Sequence, residues 1–573
     1  MRYNRDTTKL SSFIKDNEAE VFFSYSLAAE IESLRRLGID TSKMECVDLM
    51  VESRMITLSH YSYFDPQGSM LSSLQVLTGK DVKEDKLHKD KMRDLIIYQN
   101  SWTDKEWEEI VTYCWSDIDP LLDLFSAIIK IHKDNDHPYL VEIAQARGEY
   151  VRMATEMDFA SRGFPVYGGS VDKIYGNRDE IKRLIIKTLP PYWQQCYQRN
   201  KSGGYTLSRK SVMEVISLNK WNEWKLTDNN LPCLDKEYLK ELSLTIPEVE
   251  VLRQALKSMV TLNSSDLREQ IKAGYIKPRT NGYAAKTSRN GLKPKQGYLL
   301  NLPAWMRPII HPHPGMGLFS VDWSQQEVAI AAALSNDKKM LAAYASGDIY
   351  LALAKMNGVI PETGTKYTHR KEREIFKALQ LALTYGKGVK SLGKDFWAIM
   401  REDGTTLEEA TLKASEIFNW HKETFSTYWN WINNQIGVAK VNGWINTMDD
   451  WVCWVSSSSR RTALLNFPSQ ANAAVMMREA TKLFYASWMS GNISPVLCSQ
   501  HDGFYFNIPL ERLEIEVPII EEIMGQASIN TIGFGIRCDS ELFTNSDSYK
   551  PKSWDSGKEK LWEMATSLGE FTL

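Results

Sequence analysis

Apolar and polar residues follow two different periods along this chain, and the period changes where the elements change. Val21-Phe22-Phe23 is an unbroken apolar run and predicts a buried strand. Ala28 to Arg36 returns an apolar residue every three or four positions and predicts a helix, as does Leu121 to Ile131. Residues 10 to about 135 therefore read as an α/β domain. The polar run Asp134-Asn135-Asp136-His137-Pro138 ends in a helix breaker and predicts a boundary. From about 139 to 270 the pattern is mostly helical, interrupted at Asn200-Lys201-Ser202-Gly203-Gly204 and Thr227-Asp228-Asn229-Asn230. From about 315 to 550 short strands alternate with long helices. The polar end, from Lys552, holds a short helix near Trp562.

Length and composition narrow the class. At ~150 residues per domain, 573 residues predict three to four domains, enough to bury several cores. Hydrophobic residues at 43% and charged residues at 25% are those of an ordinary globular protein. The seven cysteines (Cys46, Cys114, Cys196, Cys233, Cys453, Cys498 and Cys538) form no Cys-x-x-Cys pair. They predict reduced thiols in a cytoplasm. No apolar run approaches the ~18 residues of a membrane span, and Met1 to Asp6 lacks the apolar stretch of a signal peptide.

The net charge of −3 argues against a protein that is basic all over. The local distribution is different. Between Ile271 and Val321 there is no Asp or Glu, while Lys272, Lys277, Arg279, Lys286, Arg289, Lys293, Lys295 and Arg307 are all basic. Tyr275, Tyr283, Tyr298 and Trp305 are interleaved. Such a stretch suits a polyanion, with cations for phosphates and rings for bases; a solvated loop has the same composition.

Three constellations carry chemistry. In Gly317 to Glu327, a short strand over Leu318 to Val321 precedes an Ala-rich helix over Val328 to Leu334, which places Asp322 at the carboxyl end of a strand. An Asp there is also a common helix N-cap. Arg373, Lys377, Leu381 and Tyr385 stand four apart and stack along one helical face, with two cations one turn apart that suit a triphosphate. Gly386 marks the helix end. In Val496 to Phe506, apolar runs flank Asp502-Gly503, a strong hairpin-turn pair, so Asp502 is expected at a hairpin tip.

Together, in this order, these segments resemble the family A DNA polymerases, the DNA polymerase I family of bacteria and phages. Asp322 to Glu327 resembles motif A, Arg373 to Gly386 motif B, and His501-Asp502 motif C. Asn466-Phe467-Pro468-Ser469-Gln470 matches the family's Asn-x-Pro-x-Gln, and Lys286-Thr287-Ser288-Arg289 is similar to its Thr-Gly-Arg. Motif A, with Gln326 and its Ala-rich helix, is most similar to a phage subgroup.

The resemblance implies an α/β and α+β multidomain fold. An RNase H-like exonuclease-type domain, truncated at its N-terminus, would occupy residues 1–137. A right-hand polymerase domain would occupy 138–573, with the thumb at about 138–290, the palm at about 291–335 and 446–573, and the fingers at about 336–445. It implies two Mg²⁺ ions held by Asp322 and Asp502, with the primer 3′-hydroxyl attacking the α-phosphate of a dNTP in line. Arg373 and Lys377 would bind the triphosphate, and Lys377 could protonate pyrophosphate. Leu381 and Tyr385 would line the nucleotide pocket, and Glu327 would exclude a 2′-hydroxyl. Arg289, Gln470 and His501 would touch the minor groove of primer–template DNA. Two departures stand out. Leu381 replaces the family's aromatic residue, and Gly503 replaces the Glu that follows Asp502.

In the amino-terminal region, Tyr113-x3-Asp117 matches the third exonuclease motif, and Glu30 falls where the second carboxylate is expected. Asp16-Asn17-Glu18 has the letters of the first motif but lies too near Glu30 for the strands that normally intervene. Proofreading is therefore expected to be absent or impaired, and no 5′-nuclease domain is expected ahead of it. The alternatives are a non-catalytic relic that binds primer–template, and a chain whose main activity is nuclease. Replisome proteins are possible partners. A membrane is not, and the expected location is the cytoplasm, that of the host for a phage protein.

Overall fold

The computed structural model describes residues 8–17, 20–60, 70–79, 86–99, 101–200, 204–264, 267–292, 301–384, 386–545, 549–550 and 554–568. Tyr385, Glu18, Lys201 to Gly203, Lys293, Lys295 and Tyr298 lie outside these residues.

Strands β1 (Val21–Ser24) and β2 (Glu45–Asp48) pair in parallel, joined by helix α1 (Leu27–Arg36). Parallel neighbours need such a crossover, and the apolar spacing of Leu27 and Ile31 supplies its buried face. Asp48, at the end of β2, accepts the backbone N–H groups of Ser26, Leu27 and Met50 at 3.0–3.1 Å. It thereby pins the start of α1. Burial raises its pKa to about 6, against those hydrogen bonds. β1 is not the buried strand its apolar letters predict. Phe23 is 39% exposed: among the described residues β1 pairs with β2 alone, and Phe23 packs against the Phe125 ring.

Phe125 belongs to α2 (Asp104–Asp134), in which the helix expected over Leu121 to Ile131 is the second half of a longer one. A capping box of Thr103 and Glu106 starts it, and Leu124 and Ile128 anchor it, so it continues through Pro120. It ends at Asp134, where the polar run predicts a break. Helix α3 (Val141–Ala160) follows and is buried along most of its length. Its Arg147 grips Glu52 with two 2.7 Å bonds, and Gly148 lets it lie against β2, since a Cβ there would overlap the Cys46 carbonyl.

The middle of the chain is helical, as its period predicts. Its core is built around Trp193, Trp224 and Trp305, and the antiparallel pair β3 (Phe164–Pro165) and β4 (Tyr275–Ile276) ties its ends together. Strand β5 (Met316–Trp323) then begins the main sheet. Helices α4 (Gln326–Ser335), α5 (Arg370–Thr384) and α6 (Arg461–Met489) follow, then β6 (Val496–Gln500), β7 (Gly503–Pro509), helix α7 (Leu513–Ile532) and β8 (Cys538–Phe543). The sheet order is β6-β7-β5-β8, every pair antiparallel. β5 is central and buried on both faces: Leu318 faces one core, while Trp323 faces the other and donates its indole N–H to Met524 of α7. No helix among the described residues is long and apolar enough to cross a membrane. All seven cysteines are free thiols.

Candidate active site

Two aspartates meet at one end of the sheet. Asp322 is the penultimate residue of β5, as predicted, and its register partner across β7 is Gly503, the residue after Asp502. Trp323 N donates to the Asp502 carbonyl at 3.0 Å, which fastens the β6–β7 hairpin to the end of β5. Both aspartates are half-buried on rigid elements. Paired carboxylates so placed offer hard oxygen donors and fit a small divalent cation such as Mg²⁺.

The hairpin differs from its sequence reading by one residue. The turn is His501-Asp502, with Gln500 paired to Gly503, and the left-handed φ of 54° falls on His501. Gly503 is instead the first residue of β7. A Cβ there would lie 2.7 Å from the Val321 carbonyl and 3.0 Å from Asp322 Cβ, so the glycine serves close strand approach rather than the turn. A glutamate at this position would meet the same backbone obstacle.

Glu327 sits in the first turn of α4, and its Oε1 accepts from Arg289 Nη2 at 2.7 Å. Arg289 lies on a loop that the sequence left undefined. Arg478 of α6 holds this loop through the Ser288 carbonyl and hydroxyl, both at 3.1 Å, and Trp451 donates to the Lys286 carbonyl at 3.0 Å. Arg478 is itself neutralised by Asp449 at 2.7 Å. Arg289, His501 and Ala474 line one narrow cleft, and Gln470 precedes Ala474 by one turn of α6. Of the three residues expected on primer–template DNA, Arg289 and His501 thus share one cleft, and Gln470 lies one turn further along α6.

On α5, Ile375, Phe376, Leu379 and Leu383 are buried, while Arg373, Lys377 and Leu381 lie on the more open side. Leu381 is 43% exposed. Arg373 Nε bonds Asp348 Oδ2 at 2.6 Å, its Nη1 bonds Glu374 at 3.1 Å, and its guanidinium covers the Tyr350 ring. Burial works against its charge, but Asp348, Glu374 and Tyr350 together outweigh it and the Arg373 pKa rises. Lys377 Nζ contacts Glu374 at 3.3 Å. The helix ends at Thr384, and Gly386 has the left-handed φ that its position predicts.

Sequence reasoning missed Asp348, Arg478 and Asp539. Asp348 caps the helix Ile349–Met356 and reads as an ordinary N-cap. Asp539, on β8, is the register partner of Asp322 on the flank opposite Gly503. No local signal marks either, because the partners are remote in sequence.

Of the amino-terminal candidates, Glu30 lies in the first turn of α1, where burial raises its pKa, and Tyr113 and Asp117 lie on α2, with Asp117 exposed. Among the described residues, no three His, Cys, Asp or Glu side chains gather as a metal site.

Comparison with known proteins agrees with this geometry. The family model for DNA polymerase family A matches residues 194–546. DNA polymerase I of Aquifex aeolicus is 25% identical over 66% of this chain and 62% of its own length. DNA polymerase I of Caldicellulosiruptor bescii is 24% identical over 39% of this chain and 26% of its own. The matched part is thus less than two thirds of either relative. Among solved structures, the POL domain of Pol1 from M. smegmatis, in complex with DNA primer-template and dNTP, superposes with a TM-score of 0.65. It does so at 17% identity, over 94% of this chain and 88% of that one. The likeness shows the right-hand palm, fingers and thumb fold. With the family model spanning more than half of its residues, this chain belongs to DNA polymerase family A.

Proposed function

We propose that the chain is a template-directed DNA polymerase that adds deoxynucleotides to a primer 3′ end. The observation that carries this reading is the placement of Asp322 and Asp502 at one end of the central sheet, with Asp322 opposite Gly503 and Trp323 bonded to the Asp502 carbonyl. Bound there, Mg²⁺ would supply activation of the primer 3′-hydroxyl and neutralise charge on the leaving pyrophosphate. The aspartates would hold and orient the ions from a strand end and a hairpin tip, where backbone bonds fix them.

On α5, Arg373 and Lys377 offer the triphosphate two cations one turn apart. Asp348 fixes the Arg373 fork from one edge, so less side-chain freedom is lost when phosphate binds. Lys377 is the donor of a proton to pyrophosphate, Leu381 borders the incoming nucleotide, and the resemblance assigns Tyr385 to the same pocket. Glu327, tied to Arg289, stands at the start of α4 as the group that excludes a 2′-hydroxyl. Arg289, Gln470 and His501 contact the minor groove, whose acceptors look alike for every correct pair and so report pair shape rather than sequence.

In this reading residues 1–137 are a 3′–5′ exonuclease-like domain. The thumb is at about 138–290, the palm at about 291–335 and 446–573, and the fingers at about 336–445. Proofreading is absent or impaired. The short spacing from Asp16-Asn17-Glu18 to Glu30, too short for the strands that normally intervene, supports this. Mg²⁺-dependent digestion of a 3′ end by the purified chain, abolished in Asp117→Ala, would refute that part. The polymerase itself is tested by primer extension with Mg²⁺ and dNTPs, comparing wild type with Asp322→Ala.

A further inference from the structure

A groove of 820 Å³ lies between the end of α1, the end of α3 and β4. Arg36, Arg162, Lys272, Lys277 and Arg279 line it, and no Asp or Glu does. The cations come from three separate stretches of chain. Lys272, Lys277 and Arg279 belong to the acid-free stretch; Arg36 and Arg162 are brought to them by the fold. None of them is a residue of the site around Asp322 and Asp502.

The carboxylates nearby do not cancel this charge. Glu32 is shared by Arg279 at 2.8 Å and Arg36 at 2.6 Å, one acid for two guanidinium groups. Asp158 lies beneath and is engaged by the Thr280 backbone N–H at 2.6 Å and hydroxyl at 3.2 Å. Arg279 Nη1 is buried without a hydrogen-bond partner, a cationic donor left for something else to satisfy. Arg162 and Lys272 are exposed at the rim. Phe159 and Tyr275 form half-buried aromatic walls, with the Arg36 and Lys277 cations over the Phe159 ring. A flexible polyanion carrying flat rings satisfies all of these features at once.

We propose that this groove binds a single-stranded segment of DNA. The phosphates lie on Arg36, Arg162, Lys272 and Arg279, and a base lies against Phe159. The inference rests on the polymerase reading for the source of its ligand, but not for its test.

The experiment is fluorescence anisotropy of the full chain with a short fluorescein-labelled oligothymidylate across a series of salt concentrations. It compares wild type, the rim pair Arg162→Glu/Lys272→Glu, and the equally charged control Lys338→Glu/Lys339→Glu. Each single-strand phosphate contact adds about 0.7 to the slope of log affinity against log salt. The rim pair should bind at least about tenfold more weakly than wild type and lose about 1.4 from that slope, while the control keeps both. Wild-type affinity and slope in the rim pair would overturn the proposal. So would an equal loss in the control, or capture of the chain by anionic vesicles through these residues without oligothymidylate binding. Binding needs no catalysis, so a chain that binds through the rim yet extends no primer would sink the polymerase reading and leave the groove standing.

Discussion

Gly503 stands opposite Asp322 in the β7–β5 ladder, so close that a side chain on it would press into the Val321 carbonyl. The obstacle is backbone, which cannot swing aside as a flexible side chain can. Gly503→Ala should therefore shift β7 away from β5 and cost about 1–3 kcal/mol of stability. Extension should fall more than stability alone predicts, because Asp502 moves with β7. Gly503→Glu should fare worse and restore nothing, although it supplies the family's usual carboxylate. Thermal melting and primer extension on the same variants check both statements.

The Arg289–Glu327 pair links the loop before β5 to the first turn of α4. Glu327→Ala removes the bulk and charge that face a 2′-hydroxyl. Ribonucleotide incorporation relative to deoxynucleotide should rise by about tenfold or more, measured as a ratio of kcat/KM values. Arg289→Ala should instead weaken extension from matched primer ends more than from mismatched ones, since a mismatched end already lacks the groove contact it takes away.

Lys377 and Arg373 divide one task on α5. Loss of a proton donor lowers the chemical step, so Lys377→Ala should reduce kcat by about 100-fold or more. Arg373→Ala removes a binding cation and should raise the KM for dNTP as well. Single-turnover extension at saturating dNTP separates the two effects.

A pH dependence follows from Asp158. Burial raises its pKa from 3.8 to about 6, against the bonds from Thr280 and the nearby Arg279 and Lys277 cations. The folded chain therefore holds this proton more tightly than the unfolded chain. The stability it contributes is full below pH 3.8 and is lost as pH rises through about 6. Asp158→Asn cannot titrate, so the difference in melting temperature between wild type and variant should change sharply between pH 4 and 6 and be flat above 7. A parallel pair of curves would contradict the assignment.

What could be read from the letters was what is local. The strand before Asp322, the cation helix and its Gly386 stop, and the hairpin at Asp502 each depend on residues within a dozen positions of one another. The turn was misplaced by one residue because Asp-Gly looked like the pair that supplies the left-handed φ. His501 takes that strain, since Gly503 is needed in the ladder. The helix predicted over Leu121 to Ile131 starts earlier, at Asp104, because the capping box and the buried Leu124 and Ile128 carry it through Pro120. Asp348, Arg478 and Asp539 were invisible for another reason. Asp348 and Arg478 act on partners far away in the chain, Arg373 and the Ser288 loop, and Asp539 is the strand-register neighbour of Asp322; such pairings exist only in the folded state.

The most direct test of the central claim is primer extension by the purified chain with Mg²⁺ and dNTPs, run beside Asp322→Ala and Asp502→Ala, with primer–template binding measured on all three. The account predicts templated extension by wild type and none by either variant, with binding retained in each. Wild type that binds primer–template without extending it, or Asp322→Ala that extends as well as wild type, would contradict it.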